Sequence, residues 1–127
     1  EDNDSDIVFG SRFLGHNKSN TPKLKHITLK VVARITRILT SINLSDAHNG
    51  LHALTLKASK LVSLTQSGMA HASQIISLTR QANLKYHEVS VTVLYTSYSR
   101  KKGQTILNSV NIITDLIWSE HDIRATV

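Results

Sequence analysis

Two of the seven histidines in this sequence have a spacing that would suit metal binding. His48 and His52 are four residues apart, so on a helix they would share one face and both could ligate zinc. Asp46 is the one carboxylate close to them in sequence, and two histidines without a firm third ligand make a weak zinc site. The pattern is more typical of exposed histidines beside a helix start, and we predict no metal site.

Catalytic motifs are missing from the sequence. Cysteine is absent, and so are the G-x-S-x-G elbow of hydrolases and the glycine-rich loops that bind phosphate. The tightest group of acids and histidine is Glu120-His121-Asp122, which lies near the predicted end of a helix, where charged side chains are usually solvated. We therefore predict a non-enzymatic protein without a cofactor.

Positive charge is unevenly distributed along the chain. There are 15 Lys and Arg against nine Asp and Glu, and four of the nine acids lie within Glu1–Asp6. No acid occurs from Ile7 to Ser45 or from Ala47 to His87. A basic body of this kind attracts sulfated glycans, acidic protein surfaces or anionic membranes over about a Debye length. The alternative is that the charge only keeps the protein soluble.

Four of the cations share one side of the first predicted helix: Lys23, Lys30, Arg34 and Arg37. At about 100° per residue they fall within about 60° of one another, and no acid stands four residues away to neutralise them. We predict that this basic row binds a partner, with an ordinary solvated face as the alternative. Motifs that read or stack on bases are absent, which argues against nucleic acid as the partner.

The segments that carry these residues have the periodicity of helices. Thr21 and Pro22 suit the start of the first helix. One apolar stripe then recurs every three or four residues, which predicts that it faces a core: Leu24, Ile27, Val31, Ile35, Ile38 and Ile42.

Later stripes predict a second helix between Asp46 and Gly68, a helical segment between Met69 and Lys102 that is either one helix or two, and a last helix from Ile106 to Trp118. The segment from Glu88 to Tyr95 alternates as a strand would. A strand needs a partner, however, and no other stretch offers one. We therefore assign this segment to helix.

Four amphipathic segments joined by short links pack best as an antiparallel bundle, so the predicted fold is all-α. Residues 22–127 form this helical bundle domain, and residues 1–21 form an N-terminal extended arm. Phe9 and Phe13 lie in the arm, where they either cover a groove on the bundle, which we favour, or are presented to a partner. Both are included among the candidate partner-binding residues. No stretch is apolar for long enough to span a membrane.

The acidic start, the basic helical body and the lack of an enzyme motif together resemble the small secreted salivary proteins of blood-feeding flies, and within them the albicin-type complement inhibitors of mosquitoes. The start at Glu1 looks like the terminus that signal-peptide cleavage leaves, so we expect secretion. The resemblance implies an inhibitor that occludes a host plasma protein of the complement or haemostasis type. The alternatives are a bundle that carries an apolar ligand or lipid, and a general polyanion binder.

Overall fold

A three-stranded mixed sheet organises the structure, a computed structural model that describes residues 4–15, 18–64 and 70–102. The predicted all-α bundle is therefore wrong, because the described part of the chain has an α/β fold. The elements follow in this order: β1 Ile7–Ser11, α1 Lys23–Thr40, β2 His52–Leu54, α2 Leu56–Leu61, α3 Ala70–Gln81, β3 Tyr86–Ser90 and α4 Ser97–Lys102.

The central strand is β1, in the segment predicted to be an arm. Ile7 lies opposite Leu54 in an antiparallel ladder with β2 and opposite Tyr86 in a parallel ladder with β3. Four of the five residues of β1 are buried, as expected of a strand that is covered on both faces. Gly10 allows a close approach here, since a Cβ atom at this position would lie 3.1 Å from the carbonyl oxygen of Leu51.

The predicted second helix is wrong over most of its length, and the predicted helical segment between Met69 and Lys102 is interrupted by a strand. The predicted second helix contains β2 and the short helix α2 of 6 residues. The helical segment predicted after it is divided into α3, β3 and α4. The segment from Glu88 to Tyr95 does have a strand partner at its start, because Glu88 pairs with Phe9 of β1. That partner is far away in sequence, and tertiary pairing overrides local helical periodicity. The predicted helix from Ile106 to Trp118 lies outside the described residues.

Helix α1 confirms the first predicted helix, but its buried side is unexpected. It follows Pro22 and ends where Ser41 adopts a left-handed conformation, with φ of 58°. The buried residues are Val32, Ala33, Thr36 and Thr40. Both threonine hydroxyls donate to the carbonyl four residues earlier, at 2.9 and 2.8 Å, so the polar atoms on this inner side are satisfied by the helix itself.

Helix α3 supplies the largest apolar side chains on the other side of the core. Ile75 and Ile76 are fully buried and belong to one cluster with Ile7 and Phe9 of β1. Its remaining buried positions are small residues that allow close packing: Ala72, Ser73, Ser77 and Thr79. None of the helices in the described residues is long and apolar enough to cross a membrane.

Candidate functional site: the outer face of the first helix

The four cations of the basic row all lie on the solvent side of α1. Lys23, Lys30, Arg34 and Arg37 are exposed, and the first three are separated from the last by no more than about 60° around the helix axis. Within the described part of the chain, none of the four lies within ion-pair distance of a carboxylate. The four cations of the predicted row therefore lie exposed on one side of α1.

The apolar stripe of the same helix also faces solvent, which contradicts the expectation that it packs into a core. The exposed fractions are 58% for Leu24, 61% for Ile27, 51% for Val31 and 76% for Ile38. These side chains lie beside the cations and not opposite them, because Ile27 and Ile38 follow Arg34 around the helix by about 20° and 40°. Among the residues of the stripe, Ile42, just past the helix, is the one that reaches the core.

Cations and aliphatic side chains together line an open groove of about 340 Å³ along the helix. Its walls are formed by these six residues: Ile27, Lys30, Val31, Arg34, Ile35 and Ile38. We call the solvent-facing side of α1, with its four cations and the five aliphatic residues Leu24, Ile27, Val31, Ile35 and Ile38, the outer face. It offers both charge and apolar contact to a partner.

The two phenylalanines have different surroundings. Phe9 is 3% exposed, and its ring packs edge-on against His52 with 6.0 Å between the centroids, so it is not available at the surface. Phe13 is half-buried and packs edge-on against His26 of α1 at 4.6 Å. The ammonium of Lys30 lies 5.8 Å from the centroid of the Phe13 ring. Phe13 therefore borders the basic row, whereas Phe9 does not.

A buried polar cluster holds the segments around the sheet together. The guanidinium of Arg12 donates from Nε and Nη2 to the two carboxylate oxygens of Asp46, both at 2.6 Å, and from Nη1 to the hydroxyl of Tyr95 at 2.7 Å. The backbone N–H of Arg12 donates to the same carboxylate at 3.0 Å. The end of β1, the loop after α1 and the segment after β3 are thereby joined.

Burial and pairing have opposite effects on Arg12. Burial alone would lower the pKa of the guanidinium, but the hydrogen bond and the charge of Asp46 outweigh it, and the pKa of Arg12 is raised. Its side chain is 7% exposed and that of Asp46 is fully buried. We call this buried ion pair between Arg12 and Asp46 the lock, because its hydrogen bonds hold the segments around the sheet together. The sequence analysis missed it, although Asp46 is the single acid between Ile7 and His87, a signal that it has a specific role.

His48 and His52 were expected to be exposed histidines beside a helix start, and this expectation is wrong, because His48 is buried and His52 is half-buried. Burial lowers the pKa of His48 to about 4, with the charge of Asp46 opposing this effect and that of Arg12 adding to it. His52 lies between Phe9 and the ring of His71, at 6.1 Å from the latter, and burial followed by the charge of His71 lowers its pKa. No group of three or more His, Cys, Asp or Glu in the described ranges is arranged to hold a metal ion. Glu120, His121 and Asp122 lie outside those ranges.

Comparison with known proteins places the chain near an archaeal sequence. It is 29% identical over 115 residues to an uncharacterized protein of Methanocaldococcus jannaschii, which covers 88% of this chain and 47% of the relative. The chain therefore spans about half the length of that relative. No protein-family model matches the chain, and no solved structure matches it.

This relative corrects part of what the resemblance implied. The similarity to an archaeal protein contradicts the expectation of a salivary protein directed against complement. The sheet contradicts the expectation of an all-helical fold. Secretion stays a prediction. The basic row on α1 was predicted from the sequence, and its four cations are exposed in the structure.

Proposed function

We propose that this chain acts by binding an anionic partner on the outer face of α1, without catalysis. The basic row supplies long-range attraction, which speeds encounter, and the adjacent aliphatic side chains supply contact once the partner is bound. The row belongs to a helix that is fixed to the rest of the fold. Binding therefore requires ordering of the contacting side chains but not of the backbone that carries them.

Support for this proposal comes from the carboxylates of the described residues, which are engaged away from α1. The described residues include four acids: Asp4, Asp6, Asp46 and Glu88. Asp4 forms an ion pair with Lys85. A carboxylate oxygen of Asp6 accepts from the backbone N–H of Lys85 at 3.0 Å, and the other lies 4.0 Å from the ammonium of Lys57. These two acids are thus occupied near the start of β1.

The other two acids serve the interior and the loop after α1. The carboxylate of Asp46 accepts hydrogen bonds from the guanidinium of Arg12 in the buried cluster. Glu88 accepts hydrogen bonds from the backbone N–H of Ser45 at 2.9 Å and from its hydroxyl at 3.0 Å. Each described carboxylate therefore has a partner within its own chain. Within the described residues, no carboxylate neutralises the cations of the outer face, and we propose that their charge serves an external partner.

Two other functions fit the outer face less well. A carrier of a small apolar ligand needs a site that encloses most of the ligand, whereas the groove on α1 is open to solvent and rimmed by Lys30 and Arg34. A general polyanion binder would use the basic row but not the exposed aliphatic side chains beside it. The contribution of Ile27 and Ile38 to binding separates this second function from the proposed one.

Retention on immobilised heparin tests the electrostatic part of the proposal. We expect the protein to bind heparin, and the double variant Lys30→Gln/Arg34→Gln to elute at a clearly lower salt concentration. Because each cation in contact with a polyanion releases about one counterion, the slope of log affinity against log salt should fall by about two.

The matched control is Lys57→Gln/Lys85→Gln, which removes the same charge at exposed positions close to Asp4 and Asp6. We expect it to elute close to the wild-type protein, because those lysines are already partly neutralised. Equal losses for the two double variants would mean that net charge alone governs binding, and the role of α1 would be rejected.

A further inference from the structure

The arrangement of charge and apolar surface on α1 identifies the kind of partner more narrowly. We infer that the partner is the surface of an anionic lipid bilayer, on which α1 lies flat; this inference rests on the proposed function. The outer face has two adjacent arcs: the cations occupy about 60° and the aliphatic side chains the next 80° or so. Helices that lie in a membrane interface have this combination of a basic edge and an apolar side.

The dimensions of α1 suit such a placement. Its 18 residues give a length of about 27 Å, so Leu24 and Ile38 stand near opposite ends of one line of exposed aliphatic groups. With this line turned towards the acyl chains, Lys30 and Arg34 lie at its margin. Their long side chains reach lipid phosphates while their methylene groups stay on the apolar side, which is the usual behaviour of Lys and Arg at an interface.

A protein partner fits the composition of the outer face less well. The centres of protein interfaces are enriched in aromatic residues and depleted in lysine, and the residues that dominate binding are most often Trp, Tyr and Arg. The outer face contains no aromatic residue, and two of its four cations are lysines, Lys23 and Lys30. Its arginines, Arg34 and Arg37, suit either kind of partner. Phe13, the nearest aromatic residue, already packs against His26 and Lys30.

A second copy of the chain is also disfavoured as the occupant. A symmetric dimer through α1 would bring two basic rows together, since the same surface meets itself across a two-fold axis. No described acid remains to compensate, because Asp4, Asp6, Asp46 and Glu88 have partners within their own chain. An anionic lipid surface supplies the missing negative charge and accepts aliphatic side chains at the same time.

Co-sedimentation with lipid vesicles tests this inference. We expect binding to vesicles of equal parts phosphatidylglycerol and phosphatidylcholine, and little binding to phosphatidylcholine alone. Lys30→Gln/Arg34→Gln should weaken binding roughly 10- to 30-fold, as expected for two cations near an anionic surface. Lys57→Gln/Lys85→Gln again serves as the control of equal charge, and should weaken binding several-fold at most.

The aliphatic half of the face distinguishes the lipid inference from the proposed function. Ile27→Ser/Ile38→Ser should weaken vesicle binding roughly 10-fold through lost apolar contact, while retention on heparin stays unchanged. Both isoleucines are exposed, so the fold should survive, and circular dichroism checks this. Leu51→Ser/Leu56→Ser, at two exposed positions outside α1, is the matched control and should bind vesicles like the wild-type protein.

Each result decides between the two ideas. Binding to heparin without binding to anionic vesicles would overturn the lipid inference and leave only the electrostatic part of the proposed function standing. Loss of both would reject the proposed function as well. Vesicle binding that does not respond to Ile27→Ser/Ile38→Ser would also overturn the inference, because charge alone would then explain it. Dimerisation that disappears in Ile27→Ser/Ile38→Ser would make a second copy the occupant.

Discussion

Asp46 provides the sharpest test of how the fold is held together. Its carboxylate is fully buried and accepts three hydrogen bonds from Arg12, two from the guanidinium and one from the backbone N–H. The variant Asp46→Asn keeps the shape of the side chain and removes its charge. An amide N–H₂ group must then face the guanidinium, so Arg12 keeps its charge in a buried position without its counterion.

The expected cost follows from that unpaired charge. Removing one partner of a buried ion pair destabilises a protein by about 3–5 kcal/mol, against a total stability of about 5–15 kcal/mol for a domain. Asp46→Asn should therefore lower the urea midpoint sharply. Arg12→Met should have a cost of similar size, because it leaves the Asp46 carboxylate buried and unpaired.

The assay is urea unfolding followed by circular dichroism for the wild-type protein, the two single variants and Arg12→Met/Asp46→Asn. In the double variant no buried charge remains, so its cost should be smaller than the sum of the single costs by about 1–3 kcal/mol. Glu88→Gln is a control that retains an acceptor for the backbone N–H of Ser45, and it should lose about 1 kcal/mol or less. Strictly additive single costs would refute the idea that Arg12 and Asp46 act as a pair.

Two further predictions concern stability. Burial lowers the pKa of His48 from 6.5 to about 4. As pH falls, this histidine is therefore protonated in the unfolded chain before it is protonated in the folded one. The free energy of unfolding should then fall by up to about 3 kcal/mol between about pH 6.5 and pH 4. The urea midpoint of His48→Gln should depend less on pH there, and an equally steep dependence would contradict this. Gly10→Ala should cost about 1–3 kcal/mol, because its Cβ atom would meet Leu51 and Val91 at 3.1–3.2 Å, whereas Gly50→Ala, in open space, should stay near neutral by thermal unfolding.

Local periodicity predicted α1 but not the sheet. The helix has five apolar residues at regular spacing and a proline at its start, and such signals lie within the helix itself. The central strand Ile7–Ser11 has no comparable signal, because its parallel partner Tyr86–Ser90 is more than 70 residues away. The alternation around Val89 was visible in the sequence, but so short a strand can be assigned only when its partner strand is known.

The candidate site was predicted in part. The basic row was identified from the spacing of four cations and the absence of compensating acids, and all four are exposed. The lock between Arg12 and Asp46 was not identified, since the two residues are 34 positions apart and each resembles an ordinary surface charge. Phe9 was placed among partner-binding residues because it lies in the segment predicted to be an arm, and the structure buries it in the central strand of the sheet.

The outward orientation of the apolar stripe has a physical reason in the cations beside it. If α1 were rotated so that Ile27 and Ile38 entered the core, Arg34 would follow within about 20–40° of them and would be buried as well. Taking a guanidinium out of water costs several kcal/mol unless a carboxylate pairs with it, and no described carboxylate is free to do so. Exposure of a few aliphatic side chains costs less than burial of unpaired cations. A hydrophobic stripe with cations along its edge can therefore face solvent, even when its period is that of a core helix.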